Sequence, residues 1–186
     1  HEIQPQGNRL GSLEPSRAVY AGCRRLGLNV DFVFSDSEMD GYKIIVLPSV
    51  PVISDATWEN LKSSNAIIFA TALTGSRTID GHIPPGLAPG PLAVDLGLRV
   101  AQLETLPPFE KVGVRIEREE HFAERWRETI TTRSEVRGLF ADESPALIRN
   151  GKFQYLACWP GERLMSELIR RLCEEAAIDC RDLGED

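Results

Sequence analysis

Chemistry in a folded chain needs side chains that can donate, accept or attack, held close together, and one stretch of this sequence places such side chains at a turn. Ile67-Ile68-Phe69-Ala70 runs into Thr71-Ala72-Leu73-Thr74-Gly75-Ser76-Arg77. Small and hydroxyl-bearing residues after an apolar run suit a loop that cradles a phosphate with its backbone N–H groups. They also suit the sharp strand-to-helix turn that exposes a nucleophile for acyl transfer. Neither pattern is complete. The loop has no lysine, no helical periodicity follows it, and Thr71, Thr74 and Ser76 lie outside a Gly-x-Ser-x-Gly frame. Hydroxyls with no base beside them cap backbone groups. The turn therefore reads as structural, with Thr74, Gly75, Ser76 and Arg77 as a candidate loop for contact with a ligand or a neighbouring domain.

Other chemistry-bearing residues are more dispersed. In "EREEHFAERW", residues 117–126, His121 and Glu124 have the i, i+3 spacing that puts two ligands on one helix face. A metal site needs three or four convergent ligands, so the run reads as a solvated acidic surface and no metal is expected. His1 and His82 have no constellation around them. Cys23, Cys158, Cys173 and Cys180 lack Cys-x-x-Cys spacing and read as reduced, mostly packed thiols. A catalytic carboxylate pair cannot be singled out among 28 acidic residues. Trp58, Trp126 and Trp159 read as packing or interface anchors.

The totals exclude several classes of function. A formal charge of −7 and a pI near 5.1 argue against nucleic acid as a partner, because phosphate binding depends on clustered Lys and Arg. No run of 18 apolar residues exists to span a membrane. With 42% hydrophobic and 26% charged residues in 186, the chain is expected to form one domain, residues 1–186, with a sizeable core. It begins at His1 rather than Met and is read as a fragment of a larger protein.

The turn must be held by regular elements, and the periodicities supply them. Val19, Cys23 and Leu26 recur at helical spacing, with Pro15 at the entry and Gly27 at the exit, predicting a helix over 14–27. "NVDFVF" puts Val30, Phe32 and Phe34 on one face of a predicted strand. Ile44 to Leu47 and "NAIIFA" are continuous apolar runs, as a parallel strand covered on both faces requires. Between them Ser54 is placed to cap a short helix through Trp58 and Leu61.

Residues 79–110 are broken by six prolines and four glycines, with Leu92, Val94, Leu96, Leu98 and Val100 as apolar anchors of an ordered excursion. "VGVRIERE" alternates like a half-exposed strand. "PALIRNGKFQYLAC" predicts a hairpin turning at Asn150-Gly151, and a closing helix runs from about Glu162 to Ala177 with an apolar stripe.

The collinear series Gly27, Asn29-Val30-Asp31-Phe32-Val33, Asp40-Gly41-Tyr42-Lys43, an apolar strand ending at Pro48, Gly75-Ser76, Pro89-Gly90-Pro91-Leu92, Leu96 to Val100, Trp126, Pro145-Ala146, Gly151 and Tyr155-Leu156 resembles the trimerisation domain of the family 42 glycoside hydrolases, the bacterial β-galactosidases. The resemblance spans nearly the whole chain. It implies an α/β fold: a flavodoxin-like, class I glutamine amidotransferase-like three-layer sandwich with a mostly parallel sheet and a C-terminal hairpin plus helix. It implies a non-catalytic domain that holds a homotrimer together beside the catalytic (β/α)-barrel of a cytoplasmic parent enzyme, with no cofactor, no catalytic residue here, and neither nucleic acid nor membrane as partner. Two departures stand out. The family's first strand of this domain is not among these residues, and Ser64-Asn65 replaces a glycine pair. The alternatives are a free-standing amidotransferase-like hydrolase and a phosphate- or small-ligand-binding flavodoxin-like module.

Overall fold

The computed structural model describes residues 13–35, 37–86 and 88–183. In chain order its elements are α1 (Glu14–Arg25), β1 (Ile44–Leu47), α2 (Asp55–Ser63), β2 (Ile67–Thr71), α3 (Leu92–Asp95), β3 (Leu98–Thr105), β4 (Lys111–Ile116), β5 (Glu119–Thr132), β6 (Glu135–Phe140), β7 (Pro145–Asn150), β8 (Phe153–Leu156), β9 (Cys158–Pro160) and α4 (Glu162–Glu175). The strands form one sheet in the order β1-β2-β8-β7-β6-β4-β5-β3, with β9 paired to β5.

Local chemistry accounts for the helices. Pro15 sits in the first turn of α1, where its missing N–H costs nothing, and Gly27 leaves the helix at φ 69°. Ser54 caps α2 by accepting from the Thr57 N–H at 3.1 Å. α4 buries Leu164, Leu168, Ile169 and Leu172 on one stripe. Helix α1 lies against it at Gly22, where an added Cβ would stand 2.8 Å from Cδ1 of Ile169.

Alternation along β8 shows how the layers stack. Phe153 meets the ring of Trp58 on α2 at 5.1 Å between centroids. Its neighbour Gln154, on the opposite face, donates to Glu175 of α4 at 2.9 Å. Helix α2 thus covers one face of the sheet, and α4 with α1 covers the other, the three layers expected. Between them Phe69, Tyr155, Ile68 and Leu156 are almost wholly buried; each such side chain contributes roughly 1.5–3 kcal/mol by leaving water.

Several expectations narrow or change. Among the described residues parallel strand ladders are confined to β1, β2 and β8, so the mostly parallel sheet reduces to that segment. The other ladders are antiparallel; β4 with β5, β6 with β7 and β7 with β8 are consecutive strands joined by short connections, as antiparallel pairing allows. Residues 29–34 make no ladder. Phe32 and Phe34 are 70% and 81% exposed; among the described residues β1, the sheet's end strand, pairs only with β2.

The hairpin turn lies one residue later than expected: Asn150 pairs with Phe153, and Gly151 (φ 59°) and Lys152 form the loop. His121 and Glu124 lie on the strand β5 rather than on a helix, so their i, i+3 spacing points them to opposite faces. Of the anchors in the 79–110 excursion, Leu92, Leu96, Leu98 and Val100 are buried, whereas Val94 is 87% exposed.

Candidate functional site

Strands β1, β2 and β8 run the same way, so their C-terminal ends come to one edge, where open α/β sheets place their ligand sites. The segment Thr71–Arg77 leaves β2 at that edge. At its start Thr71 Oγ1 accepts from the Ser49 N–H at 2.9 Å and faces Ser49 Oγ at 3.2 Å, tying it to the chain leaving β1. Thr74, fully buried, donates its hydroxyl to the Leu47 carbonyl at 3.1 Å. Both hydroxyls thus close the backbone, as short polar side chains at turns do.

The amides of the turn are engaged in the same way. Leu73 N–H donates to Glu128 Oε1 at 2.9 Å. Thr74 N–H donates to Thr71 O at 3.1 Å, Gly75 N–H to Val50 O at 2.9 Å, Ser76 N–H to Leu73 O at 3.3 Å and Arg77 N–H to Pro51 O at 2.8 Å. A phosphate cradle works by directing free amides at the anion; here the five successive donors already have protein acceptors. Val52 and Arg77 add an isolated parallel bridge, and no helix follows until α3.

The backbone nevertheless has the sharp bend of a nucleophile turn. Leu73 takes φ 71°, a left-handed conformation that costs a side-chain-bearing residue on the order of 1–3 kcal/mol. The residue at the bend is an alkyl group that cannot attack a carbonyl. Gly75 follows at φ 66°, and a Cβ there would meet the Pro89 carbonyl oxygen at 2.1 Å. That contact is where the proline-rich excursion folds back on the turn.

The group that holds the bend is Glu128 of β5, which is 1% exposed. Its second oxygen accepts from the Tyr155 hydroxyl at 2.6 Å. Burial raises the Glu128 carboxyl above its ordinary value, and the hydrogen bonds from Tyr155 and Leu73 oppose that rise. Burial and the neighbouring Glu128 push the Tyr155 phenol well up, keeping it a donor. Sequence periodicity contains a trace of this acid: in "WRETI" the residues Trp126, Glu128 and Ile130 share the inward face of a strand.

The predicted site residues divide accordingly. Thr74 and Gly75 are buried in the turn, Ser76 is half-buried, and Arg77 is exposed. His121 is buried on β5, Glu124 pairs with Lys111 at 2.9 Å, and no group of three or more His, Cys, Asp or Glu among the described residues could hold a metal. All four cysteines are free thiols; burial raises Cys23 and Cys173 to about 11 and drives Cys158 up further. The three tryptophans are packed, Trp126 against Trp159 edge-on at 5.7 Å.

Comparison with known proteins gives a consistent result. Residues 1–179 match the family model described as the β-galactosidase trimerisation domain. The β-galactosidase BgaA of a Thermus species is 33% identical over 96% of this chain, which spans 28% of that relative's length. The crystal structure of a β-galactosidase from the psychrophilic Marinomonas ef1 superposes with a TM-score of 0.92 at 30% identity, over 99% of this chain and 28% of that one. A glutamine amidotransferase structure shares the fold at a TM-score of 0.57 and 15% identity, over 87% of this chain and 94% of that one.

Proposed function

Because the chain belongs to the β-galactosidase trimerisation domain family, we propose that it is the non-catalytic, oligomer-forming part of a longer β-galactosidase that hydrolyses terminal β-galactosides. The observation that carries this reading is the bend after β2. Leu73 occupies the sharp φ 71° position, and its amide is held by Glu128. The place where this fold can expose a nucleophile is thus a closed structural turn.

In this reading the domain holds three copies in a closed ring, so that each catalytic barrel is fixed relative to its neighbours. A ring interface joins two different patches of the same chain. The excursion after the turn offers Ile79, Ile83 and Val94, which are 82%, 62% and 87% exposed. Large exposed apolar side chains of this kind are what an interface core uses. Exposed Arg77, at the C-terminal edge of the parallel strands, is the residue assigned to contact with the neighbouring barrel. The free thiols support a reducing, cytoplasmic setting, and the acidic charge disfavours nucleic acid. No helix among the described residues is long and apolar enough to cross a membrane.

Incubating the 186-residue chain with a fluorophosphonate and with iodoacetamide tests the non-catalytic part. Unreactive hydroxyls and slow alkylation of the buried thiols are expected. Stoichiometric labelling of one residue, abolished by a single substitution near the turn, would overturn it.

A further inference from the structure

Arginines on this acidic chain are mostly matched by carboxylates, as Arg115, Arg127, Arg137 and Arg171 are. Arg99 and Arg133 are not: among the described residues neither guanidinium has an ion pair or a hydrogen bond. Both line one cleft of ≈ 410 Å³ between α3 and the adjoining ends of β3 and β5. In the β3–β5 ladder Arg99 stands opposite Thr131. Arg133 follows two residues later, so alternation puts the three side chains on one face. Neighbours of this kind lie within about 8 Å of each other, close enough for two guanidinium groups to grip one oxyanion. Like charges set side by side on a sheet repel, and the flanking acids are committed elsewhere. Asp95 accepts from Trp58 Nε1 at 2.8 Å, and Glu135 pairs with Arg137 at 3.2 Å.

The backbone that carries these arginines is fixed. Gly97, at φ 55°, turns the chain from α3 into β3. Its carbonyl accepts from Arg133 N–H at 3.0 Å and from Thr132 Oγ1 at 3.1 Å. Ser134 Oγ donates to Leu96 O at 2.6 Å. The corner is thus clamped to the end of β5 before any ligand arrives, as a preorganised site requires. The sheet edge supplies a further donor. Val100 N–H points away from β5, to Ala88 O at 3.1 Å, whereas Gly97 O faces β5. Alternation therefore turns the Leu98 N–H outward, where no described residue accepts from it. On the α3 side, Ala93 and the 87% exposed Val94 form an apolar wall.

We infer that this cleft binds a small organic anion, whose phosphate or carboxylate group is held by Arg99 and Arg133 and whose apolar body lies against Ala93 and Val94. Guanidinium groups hold either oxyanion through paired N–H···O bonds, so the two head groups present the same chemistry here. The side chains and the free amide offer donors and positive charge with no carboxylate among them, which matches an anion and neither a cation nor a neutral sugar. The volume is that of a small-molecule pocket, more than an inorganic ion fills. Two arginines on a chain of net charge −7 do not make the extended basic track that nucleic acid needs. The site lies wholly on this chain and requires neither the ring nor the catalytic barrel. Val94 is also offered to the ring contact, so a second copy is the competing occupant.

Titrating the 186-residue chain with phenyl phosphate at constant ionic strength, followed by amide NMR shifts, tests the site. Saturable shifts centred on Leu98, Arg99 and Arg133 are expected. Arg99→Gln with Arg133→Gln should weaken binding about tenfold or more. Arg118→Gln with Arg163→Gln removes the same charge from exposed, unpaired arginines elsewhere and should leave binding unchanged. Equal weakening by the two pairs reduces the effect to net charge and overturns the proposal, as does a titration that never saturates. Should the glutamine pair unfold, Arg99→Lys with Arg133→Lys, which keeps the charge without the forked donors, must show the weakening instead. Benzoate in place of phenyl phosphate separates the two head groups. Inorganic phosphate binding as tightly as phenyl phosphate removes any role for the apolar wall and overturns the organic-anion assignment. Affinity that falls as protein concentration rises gives the cleft to a second copy and overturns it too.

Discussion

The backbone N–H of Leu73 and the carboxyl of Glu128 are 55 residues apart in sequence and 2.9 Å apart in space. That hydrogen bond fastens the bend after β2 to the antiparallel half of the sheet, and Tyr155 completes the acid's shell from β8. The folded state holds the Glu128 proton more tightly than the unfolded chain does, because burial raises its carboxyl above the ordinary 4.5. Its contribution to stability is therefore complete below pH 4.5 and is lost as pH climbs through the raised native range. Glu128→Gln keeps a carbonyl acceptor for Leu73 and does not ionise. Its stability relative to wild type should rise with pH from about 4.5 upward, read by urea unfolding at a series of pH values. A pH-independent difference contradicts this assignment. Glu128→Leu leaves the Leu73 N–H and the Tyr155 hydroxyl unpaired and should cost about 1–3 kcal/mol for each.

Gly75 carries the contact between the turn and the proline-rich excursion. Gly75→Ala adds a Cβ that would lie 2.1 Å from the Pro89 carbonyl oxygen, on a residue at φ 66°. The backbone must move, and a loss on the order of 3 kcal/mol is expected from combined strain and clash. Gly81 is also at positive φ but has nothing within 4 Å of its Cβ position, so Gly81→Ala should cost only about 1 kcal/mol. Equal thermal shifts for the two variants would show that the turn and the excursion do not touch.

Trp58 joins α2 to the short helix of the excursion. Its Nε1–H donates to Asp95 Oδ2 at 2.8 Å, and the Asp95 carbonyl accepts from Asn150 Nδ2 at 2.6 Å, linking both to the hairpin. Trp58→Phe keeps a ring against Phe153 and removes the donor. A loss of about 1–2 kcal/mol in chemical denaturation is expected, and Asp95→Asn, which keeps an acceptor, should lose less. If Trp58→Phe is as stable as wild type, the α2–α3 link is not a stabilising contact.

Much of this architecture was legible from residue patterns. Ile44 to Leu47 could hardly be anything but a covered strand, Ser54 is a cap by its chemistry, and the stripe of Leu164, Leu168 and Leu172 specifies α4. The turn at Thr71–Arg77 was visible as a turn, and its lack of a lysine and of a Gly-x-Ser-x-Gly frame was visible with it. Long antiparallel strands escaped because their sequence signal is mixed: along β5, "EEHFAERWRETITT", the outward positions hold Glu120, Phe122, Glu124, Arg127, Thr129 and Thr131, while the acid Glu128 takes an inward one. Pairing is a non-local property, so "NVDFVF" has the alternation of a strand without the neighbour that would make it one. Glu128 as keeper of the bend was legible only as an acid in the wrong register, and its partners Leu73 and Tyr155 are set by β2 and β8, which no local pattern brings beside β5.

Sedimentation equilibrium of the full-length parent enzyme at its working concentration tests the central claim most directly. A mass of three protomers is predicted, falling when Ile79, Ile83 and Val94 are replaced together by Glu while the isolated protomers remain folded. A parent that sediments as a monomer and hydrolyses β-galactosides at an undiminished rate would contradict it.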